Sequence, residues 1–319
     1  MAKINVIIPY KTSGTDINKT VYSVLNQNFQ DFEVLVISDN DVSLPPDKKL
    51  KNIKLNGKHN IPQLLNFGIK YSNSGLICFL NPNDLLLYNA LKLRYEKFLQ
   101  HPTIAACYGF GIDTDIDYKV KYNQSYEYFI NYKPDLPENS IRTVLSGDIS
   151  ISVSSLMLRR DIFDGAWFNP FLKNAYTWDF IIRLFNRYEG EICQISDPVY
   201  ISREEEYSIK HNNQKYFIEY LKESNYILDA FFNSTETSDK LKNLNLECFK
   251  NLYSYMFYIL IEYFPLNFWL RFYLLISYLK KNRQLDNKLI DLWFIAALIN
   301  SLSVSKKQLL SETDITAKA

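Results

Sequence analysis

Three short apolar runs punctuate the first eighty-odd residues, and each stops at a cluster of polar turn formers. Ile4-Asn5-Val6-Ile7-Ile8 ends at Pro9, Phe32-Glu33-Val34-Leu35-Val36-Ile37 ends at Ser38-Asp39-Asn40-Asp41, and Leu76-Ile77-Cys78-Phe79-Leu80 ends at Asn81-Pro82-Asn83-Asp84. Runs this short, rich in β-branched and aromatic residues, predict buried strands. Helical patterns separate them, so the alternation predicts parallel strands joined by crossover helices. Such sheets bind ligands just beyond the carboxyl ends of their strands. Those ends carry Pro9-Tyr10-Lys11, Asp39 and the Asn81–Asp84 cluster. The functional site is expected there.

The intervening segments carry helix signals. Thr15 or Asp16 can cap a helix to about Gln27, with Ile17, Val21, Val24 and Leu25 as its apolar stripe. Ile53-Lys54-Leu55 reads as a short strand. Asn60 can cap a helix with Pro62 in its first turn, ended by Gly75. A helix is predicted over Leu86 to Leu99, stopped before His101-Pro102, and Asp84 sits where it could cap it. Ile104–Phe110 and Ile149–Arg159 read as strands, and Asp113 to about Asn139 as an irregular excursion or loose hairpin. Phe163–Leu172 reads as a loop, Trp178–Tyr188 as a helix, and Ile192–Ile195 and Val199–Ile201 as closing strands. Past Arg203 the pattern is helical only: Asn213–Phe232, Asp239–Phe264, Leu266–Lys281 and Asp286–Leu302. This shift sets the expected domains at 1–205 and 206–319, with a frayed tail after Lys306.

Composition narrows the function classes. Hydrophobic residues make up 47 % and charged residues 22 % of the chain, the balance of a folded soluble protein, and the net charge of +1 supplies no basic field for nucleic acid. Cys78, Cys107, Cys193 and Cys248 have no paired spacing, which predicts reduced thiols in a cytoplasmic protein. His59, His101 and His211 show no metal-ligand spacing. The chain enters its first strand without the apolar core of a signal peptide. Near the other end, Glu262, Pro265 and Arg271 interrupt the aromatic-rich helices, which fall short of the ~20 apolar residues of a membrane span. A helical bundle with its own core is the default for this region. A homodimer interface and peripheral contact with the inner face of the membrane are the alternatives. Lys280-Lys281 and Arg283 would suit anionic lipid.

In order and spacing, several pieces together resemble family 2 glycosyltransferases. They are Val6-Ile7-Ile8-Pro9-Tyr10, Thr20-Val21-Tyr22-Ser23-Val24-Leu25-Asn26-Gln27 and Asp31-Phe32-Glu33-Val34-Leu35-Val36 with Asp39 after it. The match continues at Asn66-Phe67-Gly68-Ile69, Gly75-Leu76-Ile77-Cys78-Phe79-Leu80, Trp178-Asp179 with Arg183-Leu184, Tyr200 and Arg203. The resemblance implies an α/β GT-A fold: a Rossmann-like nucleotide-sugar-binding domain with a mostly parallel central sheet, here followed by an all-helical C-terminal region. It implies a transferase of the hexosyltransferase type. The sugar moves from a nucleoside-diphosphate donor such as a UDP-sugar to a glycan or lipid-linked acceptor, usually with inversion. By the same resemblance Asp39 contacts the nucleoside. Pro9, Tyr10, Lys11, Asn66, Asn81, Asn83, Asp84 and Arg203 surround the donor, and Asn83 and Asp84 stand at the position of the divalent metal, Mn or Mg. Surface-polysaccharide synthesis is the implied setting.

The sequence departs from that pattern at the acids. Ser38 precedes Asp39 where two adjacent acids are usual, Asn81-Pro82-Asn83-Asp84 replaces the metal motif, and Tyr176-Thr177 replaces the Glu-Asp pair that carries the base. Asp179, two residues on, is then the candidate base. Three readings follow: weak metal binding, diphosphate stabilisation by basic residues such as Lys11 or Arg203, or a catalytically inactive binding or scaffold subunit partnering an active transferase.

Overall fold

The computed structural model describes residues 2–11, 17–115, 117–120, 137–146, 151–163, 167–188, 190–203, 214–234, 241, 244–245, 247–253, 256, 273–278 and 280–281. The chain forms two compact units, Met1–Glu205 and Glu206–Ala319.

The first unit is built on one eight-stranded sheet. Strand β1 (Ile4–Tyr10) pairs in parallel with β2 (Phe32–Ser38) on one side and β4 (Leu76–Phe79) on the other, and β3 (Leu50–Lys54) extends the sheet beyond β2. Strand β7 (Leu156–Arg159) runs antiparallel to β4 and to β6 (Ala106–Thr114). Strand β8 (Ile192–Arg203) runs parallel to β6, and the two-residue β5 (Leu85–Leu86) closes the edge antiparallel to β8. The order is β3-β2-β1-β4-β7-β6-β8-β5. The sheet is therefore parallel over its first four strands and mixed beyond them.

Side-chain alternation explains the layers. Ile4, Val6, Ile8, Val34, Val36, Cys78 and Leu80 share one core with Ile17, Val21 and Val24 of helix α1 (Ile17–Leu25) and Ala90, Leu91 and Phe98 of helix α3 (Ala90–Gln100). Helix α2 (Ile61–Tyr71) lies on the opposite face. There a Cβ at Gly68 would stand 2.3 Å from Ile7 Cγ2 and 3.3 Å from Ile37 Cγ1, so the helix rests directly on β1 and β2. That face continues through Phe79, whose ring meets Phe168 at 5.2 Å, and Phe168 stacks at 4.4 Å on Phe180 of helix α5 (Tyr176–Arg187). Asn5 is fully buried in β1. Its Oδ1 accepts from Ser72 Oγ, Asn73 N and Ser74 N, tying the end of α2 to the sheet. The chain leaves β1 for β2 on one side and returns through α2 to β4 on the other. The strand order reverses beside β1, which is where such sheets open a crevice.

Several expected boundaries move. The Leu86–Leu99 helix starts at Ala90, because Leu85 and Leu86 instead pair with Ile201 and Tyr200 of β8. The Ile149–Arg159 strand is confined to Leu156–Arg159, and Val153–Ser155 is a 3-10 turn capped by Ser152. The two closing strands are one strand, β8, with a register shift opposite Tyr108 to Gly111. Helix α4 (Pro137–Ser146) has no counterpart in the sequence reading. Thr15, Asp16, most of the 113–139 excursion and the tail after Lys306 lie outside the described residues.

The second unit contains helix α6 (Gln214–Phe232) and helical residues at 247–253 and 273–278. Phe249, Tyr253 and Tyr278 form a buried aromatic cluster with centroids 4.8 to 5.6 Å apart. Lys281 is 5 % exposed and pairs with Asp229, so it does not present its charge outward as the lipid reading supposed. Arg283 and the rest of the predicted late helices lie outside the described residues. Among the described residues no helix is long and apolar enough to cross a membrane.

Candidate functional site

The tips of β2, β1 and β4 end side by side. Tyr10 stands beside Ser38, and Ile7 beside Phe79. Leu80 N donates to Ile7 O at 3.0 Å, so the odd-numbered residues of β1 direct their polar groups toward β4. The next odd residue is Pro9, which has no N–H to give. The β1–β4 ladder therefore stops there, with the end of β2 on one side and the 81–84 loop on the other. Neighbouring strands are about 4.8 Å apart, which puts the tips of β2 and β4 about 10 Å from each other across β1.

On the β2 side, Asp39 is half-buried and oriented. Its Oδ2 accepts from His59 N at 2.8 Å and its Oδ1 from Asn40 Nδ2 at 2.7 Å. Ser38, where an acid is usual, is buried and accepts from Asn40 N, so it shapes the turn. His59 leads into α2, where Asn60 and Gln63 form the reciprocal capping box that the sequence suggested at Asn60. The His59 ring stands edge-on to Phe67, with Nδ1 buried and lacking a partner.

The helix then fastens the 167–172 loop. Asn60 Nδ2 donates to Pro170 O, while Asn66 both donates to Phe168 O at 2.8 Å and accepts from Phe168 N at 2.9 Å. Asn66 therefore spends its amide on the loop backbone. Tyr10 is buried in the core beside Ile17, and Lys11 is exposed at the strand tip.

On the β4 side the 81–84 loop is held from both ends. Thr20 Oγ1 donates to Pro82 O at 2.7 Å. Ser154 is fully buried; its Oγ accepts from Asn81 N at 3.0 Å and donates to Asp84 Oδ2 at 2.5 Å. Asn81 Nδ2 donates to the same Oδ2 at 3.2 Å. Asp84 does not cap α3, whose N-cap is Asn89; it is a buried acceptor that closes its own loop. Arg94 supports this from below. It is fully buried, and its Nη1 donates to Ser154 O and Leu156 O while its Nε donates to Ala90 O. Sequence reasoning missed Ser154 and Arg94. The one available signal was the serine-rich stretch Ser150-Ile151-Ser152-Val153-Ser154-Ser155, too polar for a wholly buried strand.

Tyr200 floors the same corner. Its ring lies across Gly111, where a Cβ would come within 2.4 Å of Cζ. Burial, and then the negative charge of Asp84, push its hydroxyl above the ordinary phenol range, against a hydrogen bond with Ser152. It stays a neutral phenol. Arg203, at the end of β8, places its guanidinium 5.1 Å from the centre of the Tyr118 ring.

The acceptor-side residues are anchored too. Asp179 is 9 % exposed, and its Oδ2 accepts from Arg183 Nε at 3.1 Å and Nη2 at 2.6 Å. Arg183 Nη2 also donates to Trp167 O. Trp178 donates its indole N–H to Val144 O at 2.9 Å, which fixes α4 against α5.

A divalent cation needs several oxygen donors, preferably carboxylates. Among the described residues no group of three or more His, Cys, Asp and Glu side chains could hold one. Asn83 Oδ1 is buried without a partner, one neutral donor. The Asp84 Oδ2 faces two hydrogen-bond donors. Asn83 and Asp84 offer at most two side-chain groups, so a cation held here would take the rest of its shell from the donor's phosphates and water.

The comparisons agree with the fold. The chain is 33 % identical over 109 residues to the poly(ribitol-phosphate) beta-N-acetylglucosaminyltransferase TarP of Staphylococcus aureus strain N315, and 38 % identical over 106 residues to an uncharacterised glycosyltransferase of Rickettsia bellii. Those alignments take in 30 % and 31 % of this chain, and only 33 % and 15 % of the relatives' lengths. Among solved structures, S. aureus TarS 1-349 in complex with UDP-GlcNAc superposes with a TM-score of 0.59 at 18 % identity, covering 79 % of this chain and 73 % of that one. The mannosyltransferase PcManGT of Pyrobaculum calidifontis, in complex with GDP-Man and Mn2+, superposes with a TM-score of 0.53 at 11 % identity, covering 99 % and 84 %. The α/β fold is thus that of the GT-A transferases. Residues 5–166, just over half the chain, match the sequence profile described as "Glycosyl transferase family 2", and the chain belongs to that family.

Proposed function

We propose that the chain transfers a sugar, of the hexose type, from a nucleoside-diphosphate donor to a hydroxyl of a glycan or lipid-linked acceptor, with inversion, in surface-polysaccharide synthesis. The observation that carries this reading is the end of the β1–β4 ladder at Pro9, with oriented Asp39 on one flank and the 81–84 loop on the other. Asp39 holds the nucleoside, with Lys11 on the rim. The 81–84 loop and Arg203 face the diphosphate. The names of TarP and of the TarS complex support a UDP-sugar donor and a polymer acceptor. The work is done where nucleotide sugars are available, at the cytoplasmic face of the membrane.

In the reaction, the acceptor oxygen bonds to the anomeric carbon as the bond from that carbon to the diphosphate oxygen breaks. The acceptor proton passes to a carboxylate. Asp179 takes that role through Oδ1, since its Oδ2 is committed to Arg183. Asn60 and Asn66 act indirectly, by fastening the 167–172 loop beside the donor.

Transfer assays over a panel of UDP- and GDP-sugars test this reading. Turnover with one donor that falls at least about 100-fold in Asp39→Ala and in Asp179→Asn is the expected result. The substitutions Ser38, Asn81, Asn83 and Thr177 favour one second reading, a subunit that binds nucleotide without turning it over. Nucleotide binding with no turnover on any donor would decide for it.

A further inference from the structure

Sulfur side chains stand in one line across the sheet. Cys78 of β4 is in register with Met157 of β7, Met157 with Cys107 of β6, and Cys107 with Cys193 of β8. All four join the core on the face that packs against α1 and α3. The cysteines of this row are free thiols. Among the described residues no group of three or more His, Cys, Asp and Glu side chains could hold a metal, so the chemistry of the row is that of thiols.

Register decides which two can meet. Cys78 and Cys107 are separated by β7, about 10 Å from backbone to backbone, too far for a disulfide. Cys107 and Cys193 are direct neighbours in a parallel pair and project to the same face. Their backbones are about 4.8 Å apart, inside the range that a disulfide spans. Bonding the sulfurs needs a slight shift of one strand, and the ladder has room for it. Cys193 is the second residue of β8, and the β6–β8 register breaks just beyond the pair, between Tyr108 and Phe110.

Access to the two thiols is unequal. Cys107 is fully buried, and its Sγ donates to Arg94 O at 3.7 Å. Burial pushes that thiol far above its ordinary range, against Arg94, and the nearby Cys193 adds to the effect. Cys193 is only partly buried. Burial raises its thiol too, while the ammonium of Lys97 favours the thiolate. Cys193 is therefore the thiol that an oxidant meets first.

We propose that Cys193 and Cys107 are an oxidative modification site, at which hydrogen peroxide forms an intramolecular disulfide that staples β8 to β6. The Cys193 thiolate attacks the peroxide: an S–O bond forms, the O–O bond breaks, and the departing hydroxide leaves as water with the thiol's proton. The Cys107 sulfur then attacks the sulfenic acid. The S–S bond forms, the S–O bond breaks, and a second water carries off the Cys107 proton. Two thiols are oxidised and one peroxide is reduced to two waters. The bridge closes a long loop that carries the Ser154 turn, the 167–172 loop and Asp179, which restrains the unfolded chain. The site does not depend on the glycosyltransferase reading.

Non-reducing peptide mapping of the peroxide-treated full chain by mass spectrometry tests this. A cross-linked pair of peptides carrying Cys107 and Cys193, released by dithiothreitol, is expected, with a rise in the urea midpoint. In Cys107→Ala the same treatment should stop at a Cys193 sulfenic acid captured by dimedone, and Cys193→Ser should keep Cys107 as a thiol. Cys193 that is overoxidised, or joined to a second copy, while Cys107 stays a thiol overturns the proposal. So does a thiol pair that survives peroxide unchanged, or a bridge that lowers the midpoint. All three are read on the unsubstituted chain, so a variant that fails to fold leaves the test intact.

Discussion

Strands β3, β2, β1 and β4 are held by side chains that repeat every second residue, whereas β7, β6, β8 and β5 are held by polar groups drawn from distant parts of the chain. In the first half, β1 is buried from end to end and its neighbours share its register without interruption. In the second half, a buried arginine on α3 reaches the Val153–Ser155 turn, a serine of that turn reaches the 81–84 loop, and a short strand closes on β8. The first half is mainly a packing solution, with the buried Asn5 bonds as its polar exception; the second adds a chain of buried hydrogen bonds to its apolar core. Apolar packing is graded, and loses stability in proportion to what is removed. A buried polar network is all-or-none, because each group left unpaired keeps its full desolvation cost.

The sharpest way to break this contrast is at Arg94. Arg94→Met leaves the carbonyls of Ser154 and Leu156 without their donor. The expected cost is about 2–4 kcal/mol, for two buried carbonyls left unpaired, read as a fall in the urea midpoint. A loss below about 1 kcal/mol would mean the second half is packed like the first. Next is Gly68→Ala in the apolar half. The new methyl would meet Ile7 Cγ2 at 2.3 Å, so α2 must lift, at about 1–3 kcal/mol. Nucleotide affinity should fall less there than the stability does, because the strand tips are held by other contacts.

Ser154→Ala is smaller in stability, about 1–2 kcal/mol. It removes one donor from the Asp84 carboxylate and the acceptor from Asn81 N, so turnover should drop several-fold more than nucleotide affinity does. Equal losses would make Ser154 a packing residue only. The smallest effect is alkaline. Burial raises the Cys78 thiol from its ordinary value near 9 to about 11, with Arg94 opposing. The folded state therefore keeps a proton that the unfolded chain loses. The stabilisation is complete below pH 9 and disappears as the pH rises toward about 11. Among the described cysteines, Cys193 alone is not buried, and it should be the first alkylated in the native protein.

The same division decides what could be read from sequence. The three strand tips, the Asn60 cap and the apolar faces of α1 and α2 follow from local periodicity and cap chemistry, and their positions match. The placing of Asp39 follows as well, since a strand end needs no distant partner to be located. The network under the 81–84 loop does not. Leu86 reads as the start of a helix until β8, more than a hundred residues on, claims it as a strand. Asp84 reads as a cap or a metal ligand, and nothing local announces that Ser154 folds against it. No local pattern signals the burial of Arg94, since an arginine on a helix is ordinarily exposed. Lys19 and Tyr118, which meet in the fold, come from separate segments with no local signal of their contact. Contacts between remote segments leave no period to detect.

The proline at the end of β1 has a further consequence. A sheet whose edges are stitched by amide hydrogens closes wherever donors continue, and a cleft between two central strands would ordinarily zip shut. One imino acid leaves that seam unsewn at a single point. The end of that ladder is written into the covalent backbone itself.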